Sequence, residues 1–555
     1  MTSAQMEYDY IVVGAGSSGS VIAARLSENP SKKVLLIEAG GTDWEPLYRL
    51  PLMGGKMYSY RRNNWFYSSE PQQYSNNRRI FLPRGKMIGG TSNMNGIVYI
   101  RGNKYDFDLW HSLGNKGWSY SEVLPYFKRT EAYKGAPSPY HNLGGELPVA
   151  ECVEPNVTSQ MWVQAGIQAG YKKNGDPNGA EQDGFGLNHH NVWEGRRWTT
   201  ARALLHVARR RSNLTIITNA LVQKLNVHEG RATGIEWQRN GTNHNTIARH
   251  EVILAAGAIN SPHLLLLSGI GDSEQMKAHG IPVKLHLPGV GQNLQDHYNV
   301  TIGQESLKPV TLAKDLRLDR MILNILQAWV LRRGPVSISP IEAGAFLHVD
   351  KVIEAPDIQV AFTSIFPDYA KIWFPWFTKP TLHSYGACLW PSRPFSRGSV
   401  SLRSADPKVA PIIDPCFLSD QRDLATTREG IRLVRKVLAQ SAFQGIRGRE
   451  LAPGADAQSD DQLNKFIRQT GGSGHHACGS VKMGNDKMAV VDDQLRVRGL
   501  QNLRVADASI MPTMVSGNTN ATAIMIGEKV SDLVLGKSLP AENISNGAMG
   551  GSDGN

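Results

Sequence analysis

Gly14, Gly16 and Gly19 stand in the G-x-G-x-x-G spacing that brings a main chain against a pyrophosphate. Glu38 follows about twenty residues later, where a carboxylate accepts ribose hydroxyls and disfavours a 2′-phosphate. Gly14 permits a tight turn, Gly16 lets the backbone approach the phosphates, and Gly19 permits close packing of helix on strand. The chemistry this set implies is a grip on an adenine dinucleotide. Which dinucleotide it is, and what reaction it serves, these four residues leave open.

Such a grip needs two strands and a helix. The apolar run Tyr10 to Val13 reads as a buried parallel strand, and Val34 to Ile37 as a second with Glu38 at its tip. The helix between them points its amides and dipole at the phosphates. The same α/β rhythm returns at Leu214-Thr-Ile-Ile, Ala232-Thr-Gly-Ile-Glu-Trp and Glu251-Val-Ile-Leu. A helix is expected next, with Ser261 as its cap and Pro262 at its first position, ended by Ser268 to Gly271. From about 303 to 470 the chain turns to aromatics, prolines and alternating strands such as Ser399-Val-Ser-Leu-Arg, the pattern of a largely antiparallel substrate domain. The expected fold class is α/β: a Rossmann-like domain over 6–155, 212–302 and 475–536, and a discontinuous α+β substrate domain over 156–211 and 303–474. A disordered tail is expected over 537–555.

A chain of 555 residues exceeds one core's usual reach, which fits two large domains. The net charge of +11 comes from dispersed pairs, Arg61-Arg62, Arg78-Arg79, Arg196-Arg197 and Arg332-Arg333 among them. They read as solvated surface, not as the dense basic face that nucleic acid requires. The four cysteines lack metal-ligand spacing, so no metal and a reducing, cytoplasmic setting are expected. Neither a signal peptide nor a membrane span is visible.

Two further stretches are rich in small and hydrogen-bonding residues, as loops wrapped on a ligand are: Arg84 to Gly96, and Leu287 to His297. The aromatic segment Phe362 to Phe377 reads as a substrate-channel wall or buried lid, as a loop dipping into a membrane surface, or as ordinary core. Met321 to Leu331 should form an amphipathic helix beneath it.

Gly85 through Asp108 resembles the first signature of the glucose–methanol–choline (GMC) oxidoreductases, and Gly257 through Gly271 the second. The likeness runs from about Tyr8 to Leu535 and is strongest to the choline dehydrogenase and aliphatic or polyether alcohol dehydrogenase branch, through Asn76-Asn-Arg-Arg, Tyr99-Ile-Arg-Gly-Asn and Ile524-Met-Ile-Gly-Glu-Lys. The resemblance implies FAD, oxidation of a primary alcohol to an aldehyde by hydride transfer to the flavin, and a non-oxygen acceptor such as a quinone or other respiratory carrier. Oxygen as acceptor, choline as substrate, a flavin-containing lyase and a silent flavin-binding protein are the alternatives.

Gly474-His475-His476-Ala477-Cys478-Gly479 resembles the family's histidine motif, which puts the catalytic role on His476, with His475 as the neighbouring alternative. Asn520, in Ser516-Gly-Asn518-Thr519-Asn520, matches the second active-site position or is a turn former. A neutral imidazole accepts the hydroxyl proton, while a carboxamide hydrogen-bonds the oxygen without competing as a base. The resemblance places Ser17, Ser18, Ala39, Arg84, Gly89, Gly90, Ser92, Asn95, Gly96, Val222, Ala256, Gly257, Asp507, Ala508, Asn518 and Thr519 along the cofactor. Glu342 either lines the pocket or makes a structural salt bridge. Met94 stands where some members tether FAD through a histidine, which implies a non-covalent cofactor, and Ala477 replaces the usual proline after the catalytic histidine. Peripheral contact with the inner face of a membrane is compatible with the basic charge and the aromatic segment.

Overall fold

The computed structural model describes residues 6–542 and 544, except 351–352, 370, 373, 375–377 and 379–380. Four short apolar strands, Met6–Val13, Val34–Ile37, Leu214–Ile217 and Leu503–Val505, run parallel with the second half of a long strand, Thr242–Leu254. The first half of that strand pairs antiparallel with Arg231–Arg239, which in turn pairs with Leu221–His228. The spatial order is 214–217, 34–37, 6–13, 242–254, 231–239, 221–228, with 503–505 also on 242–254. Ile11, Val12, Leu35, Leu36, Ile253 and Leu254 are buried on both faces of the sheet, as continuous apolar runs in a parallel sheet require. Helix Ser17–Leu26 covers one face and crosses helix Thr519–Val534 closely; a Cβ on Gly527 would come within 2.8 Å of the Ser18 carbonyl oxygen.

The second sheet is antiparallel. Its order is Arg447–Ala452, Tyr298–Ser306, Ser384–Pro391, Ile358–Thr363, Ala343–Leu347, Gly184–Leu187. Val300, Ile302, Val360, Phe362, Ala387 and Leu389 join one core with residues of helices 157–168 and 421–438. The alternate residues Asn299, Thr301, Ala361, Thr363, Cys388 and Trp390 face a large cavity. That is the period of two of a half-buried strand, here with a cavity in place of solvent.

Several expectations shift. The helix after Leu254 begins at Gly257, not Ser261, so Pro262 lies inside it. A proline there leaves the Ala258 carbonyl without its helical donor, and the Ser480 hydroxyl donates to that carbonyl at 2.5 Å. The expected boundary at 302 cuts the strand 298–306, and Ala201, Ala203, Leu204, Leu205 and Ala208 pack in the core of the parallel sheet. The tail expected to be disordered is anchored at its start: Leu539 N–H donates to Tyr126 Oη at 2.9 Å and Glu542 N–H to the Ser121 carbonyl at 2.9 Å. Of the aromatic segment, Phe362, Ile365 and Phe366 are buried and Ile372 and Phe374 exposed, while Trp373, Trp376 and Phe377 lie outside the described residues.

Candidate active site

A cavity of about 830 Å³ runs from the carboxyl ends of the parallel strands to the antiparallel sheet. That is where an open α/β sheet binds ligands. Each strand contributes where it ends: Gly14 and Gly16 after Val13, Glu38 and Ala39 after Ile37, Ala256 and Gly257 after Leu254, Asp507 and Ala508 after Val505.

The glycines act as their spacing implies. Gly14 has φ +100°, and a Cβ on Gly19 would come within 1.9 Å of the Gly14 carbonyl oxygen, so Gly19 supports the turn from behind the cavity. Gly16 and Gly257 line the cavity, and a Cβ on either would meet no atom within 4 Å. Helix 17–26 starts without a side-chain cap, so its first amides are open to an anion, whereas the first amide of helix 257–267 is taken by the Asp507 carboxylate. This open cradle fits the pyrophosphate of FAD. Glu38 accepts Ala15 N–H and Gly40 N–H, each at 2.9 Å. Burial pushes its carboxyl up to about 7 against the pull of those amides and of Lys86.

Ser17, Ser18, Gly90, Ser92, Asn95, Gly96, Val222, Asn518 and Thr519 also border the cavity. Gly89 does not; its φ of +84° and its N–H to the Ala15 carbonyl at 2.7 Å hold the second loop on the first. Asp507 organises more than it exposes: Oδ2 accepts Gly257 N–H at 2.8 Å and Ser261 Oγ–H at 2.6 Å, and Oδ1 accepts Ser509 N–H at 2.8 Å. Arg197, read from the sequence as surface charge, is only 1% exposed. Its guanidinium donates to the carbonyls of Pro51, Ser92 and Asn95 and to Asn95 Oδ1 at 2.8–3.2 Å, pinning the loop.

At the far end stands His476. His297 Nε2 lies 3.0 Å from the Ser392 carbonyl, which only accepts, so Nε2 carries a proton. Burial holds His297 down to about 4, hence neutral, and its Nδ1 is bare. His476 Nδ1, 2.8 Å away, must be the donor to it. A neutral His476 then presents a bare Nε2, to which Asn518 Nδ2–H donates at 3.0 Å. Gln359 Nε2–H donates to Asn518 Oδ1 at 3.3 Å and fixes which way that amide faces. The backbone of His476 is held by its N–H to Asp296 Oδ1 at 2.8 Å. Burial chiefly, and the Arg84 charge with it, keeps the His476 imidazole well below the ordinary histidine range.

Asn520 is not at this imidazole. Its Oδ1 accepts Ser17 Oγ–H at 2.6 Å, at the pyrophosphate turn, so the carboxamide on the histidine is Asn518, two residues earlier. Asn518 precedes the first residue of helix 519–534 and faces the histidine, while Asn520 lies on the first helical turn. His475 lines the cavity with φ +64°, its ring 5.2 Å from Tyr58, and burial with the Arg84 charge drops it to about 3. Arg84 also lines the cavity; Nη1 donates to the His475 carbonyl at 2.7 Å and Nη2 is buried without a partner. Glu342 does not line the cavity. Its neighbour Ile341 does, and the alternation sends the Glu342 carboxylate the other way, to Asn156 N–H at 2.7 Å and Ser159 Oγ–H at 2.6 Å. His297 was legible only as the end of a ligand-type loop; its partner lies far along the chain.

A dinucleotide crevice ending at a neutral imidazole with a carboxamide beside it defines an FAD-dependent oxidoreductase acting on CH–OH groups. The chain belongs to the GMC oxidoreductase family: residues 8–299 match its N-terminal part and 394–527 its C-terminal part. It is 43% identical over 535 residues, 96% of each chain, to a protein of Rhizobium johnstonii named oxygen-dependent choline dehydrogenase. Among solved structures it resembles pyridoxine 4-oxidase from Mesorbium loti, at 30% identity and TM-score 0.85, covering 94% of this chain and 98% of that one. It also resembles formate oxidase from Aspergillus oryzae, at 25% identity and TM-score 0.89, covering 96% and 98%.

Proposed function

We propose that the chain oxidises a primary alcohol to an aldehyde with His476 as the base and Asn518 as its companion. The observation that carries this reading is the bare His476 Nε2 with the Asn518 amide beside it, both facing the cavity. FAD, when bound, supplies the hydride acceptor. An alcohol oxygen set against both groups replaces their mutual hydrogen bond. Its proton goes to Nε2 and its lone pair accepts from the carboxamide N–H, so alkoxide character develops between a proton acceptor and a hydrogen-bond donor. His297 holds the Nδ1 proton in place, so only Nε2 is free to accept.

Gly16 and the open start of helix 17–26, with Gly257 bordering them, would hold the pyrophosphate, Glu38 the ribose, and the 89–96 loop the flavin half. Met94, buried beside Tyr48 and Met87, supports a non-covalent cofactor, because a thioether cannot form the histidyl bond. Acid precipitation that releases all the flavin tests this; flavin retained on the protein refutes it.

The acceptor is proposed as a quinone or other respiratory carrier. Oxygen is the second reading, favoured by the names of the relatives. Stopped-flow reoxidation in air decides, since fast recovery of the flavin band makes the enzyme an oxidase.

No helix among the described residues is long and apolar enough to cross a membrane. Helix Leu318–Leu331 leaves Ile322, Leu323, Leu326 and Val330 exposed between Arg320 and Arg333, which supports peripheral contact with an anionic membrane. Co-sedimentation with anionic but not neutral vesicles is the expected outcome.

A further inference from the structure

The cavity carries two acids, Glu38 and Asp507, and both are committed elsewhere. Glu38 closes the adenosine end through Ala15 and Gly40, and Asp507 holds the start of helix 257–267. Trp390 stands against His476, and the described lining on the antiparallel-sheet side adds Asn299, Thr301, Ala361, Thr363 and Cys388, with Val98 and Ile341 elsewhere on the wall, and no carboxylate. The acid nearest that wall in sequence, Glu342, faces the other way onto Asn156 and Ser159.

The charge that does reach the cavity is positive: Arg84 lines it with a buried, unpartnered Nη2. Among the described residues the aromatic rings on the cavity are also engaged, Trp390 with His476 and His297, Tyr58 with His475, and Trp65 with Tyr67 and the Lys86 ammonium. A trimethylammonium group would lose its hydration beside a guanidinium, with neither counter-ion nor open aromatic cage among the described residues to replace it.

Resting on the alcohol-oxidising reading of the site, we propose that this pocket takes an uncharged alcohol and rejects choline, unlike the relatives whose names carry that substrate. The apolar wall accepts a branched alkyl or aryl body, and the hydroxyl is the only group that needs a polar partner.

The test pairs choline with 3,3-dimethylbutan-1-ol, the same skeleton with carbon in place of the charged nitrogen. Holoenzyme is titrated anaerobically with each, following perturbation of the flavin band for binding and its bleaching for reduction. The neutral alcohol should win by about 100-fold or more in reduction efficiency, the scale of an unpaired buried charge. Choline bound or oxidised equally well overturns the proposal, and so does a pocket that takes neither. If the neutral alcohol alone perturbs the band without bleaching it, the pocket assignment stands and the oxidation reading falls. Ile341→Glu, with flavin content as its folding control, should shift the ratio toward choline by about tenfold or more; an unchanged ratio in a flavin-loaded variant counts against the wall.

Discussion

His141 is buried and His476 half-buried at the cavity wall, and the protein tunes them in opposite directions. His141 Nδ1 sits 3.0 Å from Glu131 and Nε2 2.9 Å from Asp176, and Arg101 closes the group on Glu131 at 2.7 Å. Burial would lower His141, but its bonds to Asp176 and Glu131 and the Glu131 charge outweigh that and raise it. His476 has no carboxylate on its ring, only a neutral histidine and a carboxamide, with Arg84 nearby. One imidazole becomes a structural cation in an ion cluster. The other stays neutral with a lone pair available. The difference is the second partner, not the burial, and it separates a packing network from a site able to accept a proton.

The largest effect that sharpens this contrast is loss of the base. His476→Ala should slow anaerobic flavin reduction by about 10²–10⁴-fold while FAD content and melting temperature hold. A rate within tenfold of wild type would remove the histidine from the mechanism. Glu131→Gln should do the reverse. Leaving Arg101 buried without its counter-charge is expected to cost about 3–5 kcal/mol in denaturant unfolding, with reduction per bound flavin unchanged within twofold. A slowed reaction in that variant would make the two networks one. His297→Ala lies between, about 10- to 100-fold slower because the His476 tautomer is no longer fixed. His297→Gln, which offers a carbonyl acceptor for the Nδ1 proton, should recover most of the loss, an outcome that a purely packing role for His297 does not give.

The glycine-turn end of the site, where the adenosine half is proposed to lie, has a geometry legible in the sequence because its determinants are local. Gly14, Gly16, Gly19 and Glu38 belong to one strand–helix–strand unit, and each glycine role follows from backbone geometry. The chemical end was legible in residue type but not in placement. Asn518 and Asn520 both line the cavity but at different partners, His476 and Ser17, and strand alternation separates Ile341 from Glu342; an error of one or two positions moves a side chain off the imidazole or away from the cavity. His297, Gln359 and Arg197 act through partners distant in sequence, which no local pattern encodes. Arg197 also shows why paired arginines mislead: a guanidinium that satisfies four acceptors in a loop reads, as sequence, like surface charge.

The smallest effects lie in pH and carry opposite signs at the two histidines. His141 has its folded value raised above 6.5, so its stabilising contribution is fully present below that pH and is lost as pH rises through the elevated folded value. The stability difference between wild type and His141→Gln should therefore shrink from about pH 6.5 upward, as urea unfolding would record. His476 is depressed, so its base form is already complete at pH 6.5. The acid limb of flavin reduction should fall well below the ordinary histidine range, with little change between pH 6 and 8. An acid limb near 6.5 in reduction, at constant flavin content, would mean that the titrating base is a solvated histidine and not this one.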